Sequence, residues 1–175
     1  MAARSSTHAG GSSALTLEAP PAPAWTRRPA TAADDAFLLA LYASTRSDLD
    51  PLGWPEATRA AFCELQWRAQ RAGYAAAYPH ARSEVLEVDG RPAGRLLISE
   101  ADAELVVVDV ALLPDARGRG VGRQVLEELQ IAAAASRRSV RLQVLDESPA
   151  RRLYERLGFV ATGIHGIHTE MRWPS

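Results

Sequence analysis

At 175 residues the chain is long enough to bury a self-sufficient core as one domain. Its formal charge of −1 leaves no basic field for nucleic acid, and no apolar run is long enough to span a bilayer. One cysteine, Cys63, rules out an internal disulfide and suits a reducing, cytoplasmic setting.

Residues 1–24 are rich in Ala, Ser, Gly and Pro, with Pro20, Pro21 and Pro23 near their end, so a disordered tail is expected before a domain over 25–175. His8, Gly10 and Gly11 interrupt the apolar stretch that a targeting peptide needs. Trp25–Arg28, ended by Pro29, reads as an edge strand. Thr31 is placed to cap a helix with Asp34 and Asp35 in its first turn and Phe37, Leu38, Leu41 and Tyr42 as its apolar stripe. Pro55 starts a second helical region that stops by Pro79, with Ala61, Phe62, Leu65 and Ala69 expected on one face. Cys63 reads as a buried small side chain on that helix.

From residue 83 the rhythm becomes that of strands. Val85–Val88 and Gly94–Ile98 flank Asp89-Gly90, a strong hairpin turn. Leu105–Leu113 is nearly continuous apolar sequence, as in a strand covered on both faces. A helix carrying Val121, Val125, Leu126 and Leu129 follows, then a strand over Val140–Leu145 and a short helix capped by Ser148 and ended by Gly158. Phe159–Ile164 and Ile167–Trp173 read as a closing pair of strands. The order implies an α+β, or mixed α/β, layer.

Between the apolar strand and the following helix stands Arg117-Gly118-Arg119-Gly120-Val121-Gly122. A glycine-rich turn that opens a helix offers backbone N–H groups with no intrahelical partner, backed by the positive end of the helix dipole. Glycines let a bulky anion approach, which makes this a phosphate or pyrophosphate site. It is not a P-loop, because Val121, Gly122 and Arg123 stand where Lys-Ser/Thr is required. The dinucleotide fingerprint G-x-G-x-x-G also fails: the glycines run G-x-G-x-G, and Pro114–Arg117 separates them from the strand.

Arg117-x-x-Gly120-x-Gly122 resembles the acetyl-CoA loop of the GCN5-related N-acetyltransferase (GNAT) superfamily, and Ala150-Arg-Arg-Leu-Tyr-Glu-Arg-Leu-Gly-Phe159 resembles that family's second signature. The resemblance covers about residues 25–173. It implies a central mixed, mostly antiparallel sheet flanked by helices, and a co-substrate, acetyl-CoA, with no metal. It also implies that residues 117–122 (Arg117, Gly118, Arg119, Gly120, Val121, Gly122) clamp the pyrophosphate. Val110, Ala111 and Leu112 would pair with pantetheine and donate to the oxyanion, with Ser148 and Arg151 as further contacts. Relatives often carry asparagine where this chain has Ser148.

In such a reaction an amine attacks a thioester, so a base, an oxyanion donor and an acid for the leaving sulfur are all useful. The resemblance places Tyr154 beside the sulfur as the acid; the same helical stripe (Ala150, Leu153, Leu157) also lets it simply pack. Glu104, at the start of the strand that feeds the loop, is the preferred base, and Asp109, an acid inside an apolar strand, is the rival. Strand alternation puts these two on opposite faces unless a bulge intervenes. His165 and His168 fall in the last hairpin without cysteine partners, so they read as surface residues rather than metal ligands.

The sequence therefore points to N-acetyl transfer to an amine acceptor by direct attack in a ternary complex. Cys63 lies outside both signatures, so no acyl-enzyme is expected. The contrasting reading is an acyl-CoA-binding module without catalysis. The helical region 54–78 is compatible with a homodimer in either case. Neither nucleic acid nor membrane is expected as a partner, and the all-arginine usage with abundant alanine points to a GC-rich bacterial genome.

Overall fold

The strands observed in chain order are β1 (Trp25–Pro29), β2 (Arg82–Val88), β3 (Arg91–Glu100), β4 (Glu104–Leu112), β5 (Ser139–Leu145), β6 (Val160–His165) and β7 (His168–Trp173). The helices are α1 (Asp35–Ser44), α2 (Glu56–Ala77), α3 (Val121–Ala135) and α4 (Ala150–Arg156). The computed structural model describes residues 24–174, so the tail expected over 1–24 falls outside the described residues apart from Ala24. Seven strands form one sheet in the order β1-β2-β3-β4-β5-β7-β6. Only β4 and β5 pair in parallel, joined by the α3 crossover; the other neighbours are antiparallel. This is the α+β layer that the element order implied, with the mixed, mostly antiparallel sheet that the GNAT resemblance implied. No helix among the described residues is long and apolar enough to cross a membrane.

Local chemistry explains the joints. Asp89 and Gly90 both take positive φ (51° and 75°), the conformation a two-residue hairpin demands between β2 and β3. Before α1, the N–H of Thr31 donates to the Asp34 carboxylate at 2.8 Å, and Arg28 clasps the same carboxylate at 2.8 and 2.9 Å. Gly158, at φ 84°, ends the last turn of α4.

The two sheet faces are packed differently. On one, the α3 stripe Val121, Val125, Leu126 and Leu129 meets Leu96, Ile98, Leu105, Val107 and Val140 in a continuous apolar core that also takes in Tyr154 and Phe159. On the other, α1 and α2 bury Leu38, Leu41, Cys63 and Trp67. The buried face of α2 is not the stripe expected from sequence. Leu65 is exposed, as are Ala61 and Ala69, while Cys63 and Trp67 turn inward. Gln70 and Tyr74 continue that inward line and, with Asp109, line one cavity.

A bulge in β4 decides which side chains meet on each face. Leu97 pairs with Asp109 and Ile98 with Val107, leaving Val108 as an extra residue. Before it, Leu105 and Val107 face the α3 core; after it, Val110 and Leu112 do. Glu104, Val106, Asp109 and Ala111 consequently share the α1/α2 face. Simple alternation had put Glu104 and Asp109 on opposite faces, and the inserted residue reverses that parity.

Candidate active site

β4 and β5 part company half-way along. Their pairing ends at Val107↔Leu142, while β4 stays paired to β3 as far as Leu112↔Gly94. The Leu113 N–H donates to Ala93 at 2.8 Å, so strand alternation turns the N–H groups of Val110 and Leu112 away from β3 and into the gap. Gly94 permits this close pairing. A Cβ there would lie 2.5 Å from the Ala111 carbonyl oxygen and 2.6 Å from Leu112 Cδ2.

Beyond β4 the chain turns through Pro114–Ala116 into the glycine loop. Gly118 (φ 72°) and Gly120 (φ 86°) both hold the left-handed conformation, and nothing lies within 4 Å of where their Cβ atoms would be. The loop's outer surface is open, and α3 begins directly after it with unpaired N–H groups. A groove of ≈ 540 Å³ runs from here along β4 and α4. Arg117, Arg123 and Arg156 line it together with Gly118, Gly120 and Gly122, and no acidic residue among those described does. Arg117 Nε also donates to the Leu112 carbonyl at 2.8 Å, which ties the loop to the open strand edge.

Not every residue assigned to this region from sequence reaches the groove. Arg119 turns away to Asp89 on the β2–β3 hairpin at 2.8 Å. Val121 has its side chain fully buried, so only its backbone faces the loop. Arg151 pairs with Glu155 at 3.1 Å and Asp146 at 3.6 Å. The Ser148 hydroxyl accepts from the Ala150 N–H at 3.3 Å, capping α4. Arg123 and Arg156 were not singled out from sequence. Arg123 follows the last loop glycine directly, which is the signal that could have found it.

A second cavity, of ≈ 570 Å³, lies in the gap between β4 and β5. Asp109, Tyr74, Tyr78, Arg141, Ser148 and His168 are among its walls. It shares three residues with the groove: Val110, Ala150 and Tyr154. Tyr154 is therefore buried where the two spaces meet. Burial, reinforced by the charge of Asp109, pushes its hydroxyl up to about 12, so it stays protonated at neutral pH. Burial likewise raises the Asp109 carboxyl above the ordinary carboxylate range, opposed by Arg95 at 3.3 Å and by the Val110 N–H.

Glu104 sits differently. Its carboxylate is held by Arg141 and by Arg172, each at 3.1 Å, and it lines neither the groove nor the second cavity. Of the two acids weighed from sequence, the structure brings Asp109 and not Glu104 to Tyr154's cavity. Tyr74 and Arg95, on α2 and β3, were invisible as site residues because nothing in their local sequence marks them.

A sequence model of the acetyltransferase (GNAT) domain matches residues 67–161. The chain belongs to the GNAT acetyltransferase family. The match runs from inside α2 to the start of β6, so both GNAT signatures and both cavities fall largely within it. Solved structures with the same GNAT fold cover nearly all of the described chain. The PaiA N-acetyltransferase of Thermoplasma acidophilum, solved in complex with coenzyme A, is 14% identical with a TM-score of 0.65, over 87% of this chain and 99% of its own. An acetyltransferase of Thermus thermophilus is 22% identical at a TM-score of 0.62, over 88% and 99%. A GNAT family acetyltransferase of Elizabethkingia anophelis with acetyl-CoA bound is 14% identical at 0.58, over 86% and 98%. A comparison with curated protein sequences finds no match.

Proposed function

We propose that this GNAT protein transfers an acetyl group from acetyl-CoA to a primary amine by direct attack in a ternary complex. The observation that carries this reading is the meeting of two cavities at Tyr154, one basic and glycine-lined, the other holding a partly buried acid, Asp109. The first fits acetyl-CoA: open glycines and a helix N-terminus suit the pyrophosphate, three arginines supply charge, and the Leu112 N–H, with the Val110 N–H that also donates to Asp109, suits pantetheine and the thioester oxygen. The second supplies room for the acceptor.

In this reading Asp109 takes the role first given to Glu104. A carboxyl raised by burial sits closer to working pH and is the better proton acceptor. Asp109 removes the proton as the amine nitrogen bonds to the carbonyl carbon. Backbone N–H groups at Val110–Leu112 hold the oxyanion. The carbon–sulfur bond then breaks and Tyr154 protonates the departing thiolate. Below the raised carboxyl pKa Asp109 is already protonated and cannot accept, so the acid limb of kcat/KM falls above the ordinary aspartate value of about 3.9. Tyr154 imposes no loss on the alkaline side until about pH 12. A cytoplasmic setting, where acetyl-CoA and a reduced Cys63 coexist, belongs to the same reading.

Thiol release from acetyl-CoA is the test, run against small-molecule amines, peptide N-termini and lysine side chains. Release that depends on one amine class supports the proposal and names the acceptor. Bound CoA with no release from any amine would favour the non-catalytic binding module instead.

A further inference from the structure

Behind the transfer site, one charged side chain in contact with Asp109 is buried with too few partners. Arg95 on β3 has a side chain only 10% exposed, and its one ionic partner among the described residues is Asp109, reached by Nη1 at 3.3 Å. Its Nε is buried with no hydrogen-bond partner among them. A guanidinium carries five donors, and leaving buried ones unpaired is costly. Tyr74 offers it a ring face at 6.0 Å but no acceptor.

Arg95 borders a cavity of ≈ 450 Å³ beneath α1 and α2, against β2 and β3. Arg71 lines the same space. It stacks on the Trp67 ring at 4.5 Å and touches Asp35 at 3.2 Å. Trp67, Tyr74, Tyr78, Leu38 and Leu97 give the cavity largely aromatic and apolar walls, and Asp35 is the only acid among the described residues that line it. It shares just Tyr74 and Tyr78 with the cavity of Asp109 and Tyr154, so those two rings separate the spaces.

We propose that this cavity is a second binding site, one that takes a small aromatic carboxylate with its carboxylate on Arg95 and Arg71 and its ring against Trp67 and Tyr74. Arg71 pairs with Asp35 and Arg95 with Asp109, so an incoming carboxylate is held by the donors those two pairs leave free rather than by net charge. The planar donor fork matches a carboxylate, and the aromatic walls favour a flat apolar body. The ligand oxygens reach the terminal donors of the two guanidinium groups, while Arg95 Nε stays sealed from the cavity.

The site is tested on the full chain with no acetyl-CoA present, so the outcome does not depend on the acetyl-transfer reading. Benzoate and phenylacetate are titrated by calorimetry and by tryptophan fluorescence, with benzamide and inorganic phosphate as controls. The expected result is saturable binding of at least one carboxylate, with a dissociation constant of about 1 mM or tighter, and benzamide weaker by roughly tenfold. Arg71→Gln, at a half-exposed position where folding is not at stake, should weaken the carboxylate about fivefold or more, and Arg95→Gln, where it folds, more still. Neither carboxylate saturating, benzamide or phosphate binding as well, or an affinity untouched by Arg71→Gln would each overturn the site.

Discussion

The two faces of the sheet solve opposite problems. The α3/α4 face is a continuous apolar core, and the groove at its margin is made mainly of backbone: two left-handed glycines, a helix start and the bare edge of β4. The α1/α2 face carries charge in its interior, with Arg95 against Asp109 and Asp34 against Arg28. Two of the cavities open on that side of the sheet, and a third reaches it through the gap between β4 and β5. The first face offers mainly backbone groups at its groove; the second offers mainly side chains.

Perturbing each face separately should give effects of different kind. Asp109→Asn removes the proposed base and should lower kcat/KM by about 10²–10⁴-fold with CoA affinity unchanged, as read by steady-state kinetics beside calorimetry. Tyr154→Phe should cost about tenfold in kcat, less than the base, because a thiolate of pKa near ~8.5 leaves readily without full protonation. On the backbone-built face, Gly94→Ala drives a Cβ onto the Ala111 carbonyl and should lower stability by about 1–3 kcal/mol in urea titration, with weaker CoA binding because β3 and β4 must separate. Smallest is Arg119→Gln. Its guanidinium pairs with exposed Asp89 outside the groove, so CoA affinity should hold while stability changes by no more than ~1 kcal/mol.

What was legible in the sequence follows the same division. The groove was readable because a backbone site needs special residues at consecutive positions, and Arg117–Gly122 announces itself. The α1/α2 face of β4 was harder to read, for an equally physical reason. A single inserted residue at Val108 flips the parity of β4, and nothing in Val106-Val-Val-Asp109 marks where a bulge falls. Arg172 and Arg141, 68 and 37 positions from Glu104, neutralise the acid that looked free. Leu65 seemed a core residue on helical spacing alone, yet α2 turns Trp67 and Tyr74 inward toward the polar pair on the sheet. Sites made by side chains from distant strands leave no local trace.

The most direct measurement compares Asp109→Asn with Glu104→Gln in single-turnover acetyl transfer from bound acetyl-CoA. The account predicts that Asp109→Asn slows transfer at least about a hundredfold and removes the raised acid limb from the pH profile. Glu104→Gln should keep both rate and profile while losing about 1–2 kcal/mol of stability as its arginines lose their partner. A slow Glu104→Gln beside a fast Asp109→Asn would contradict it.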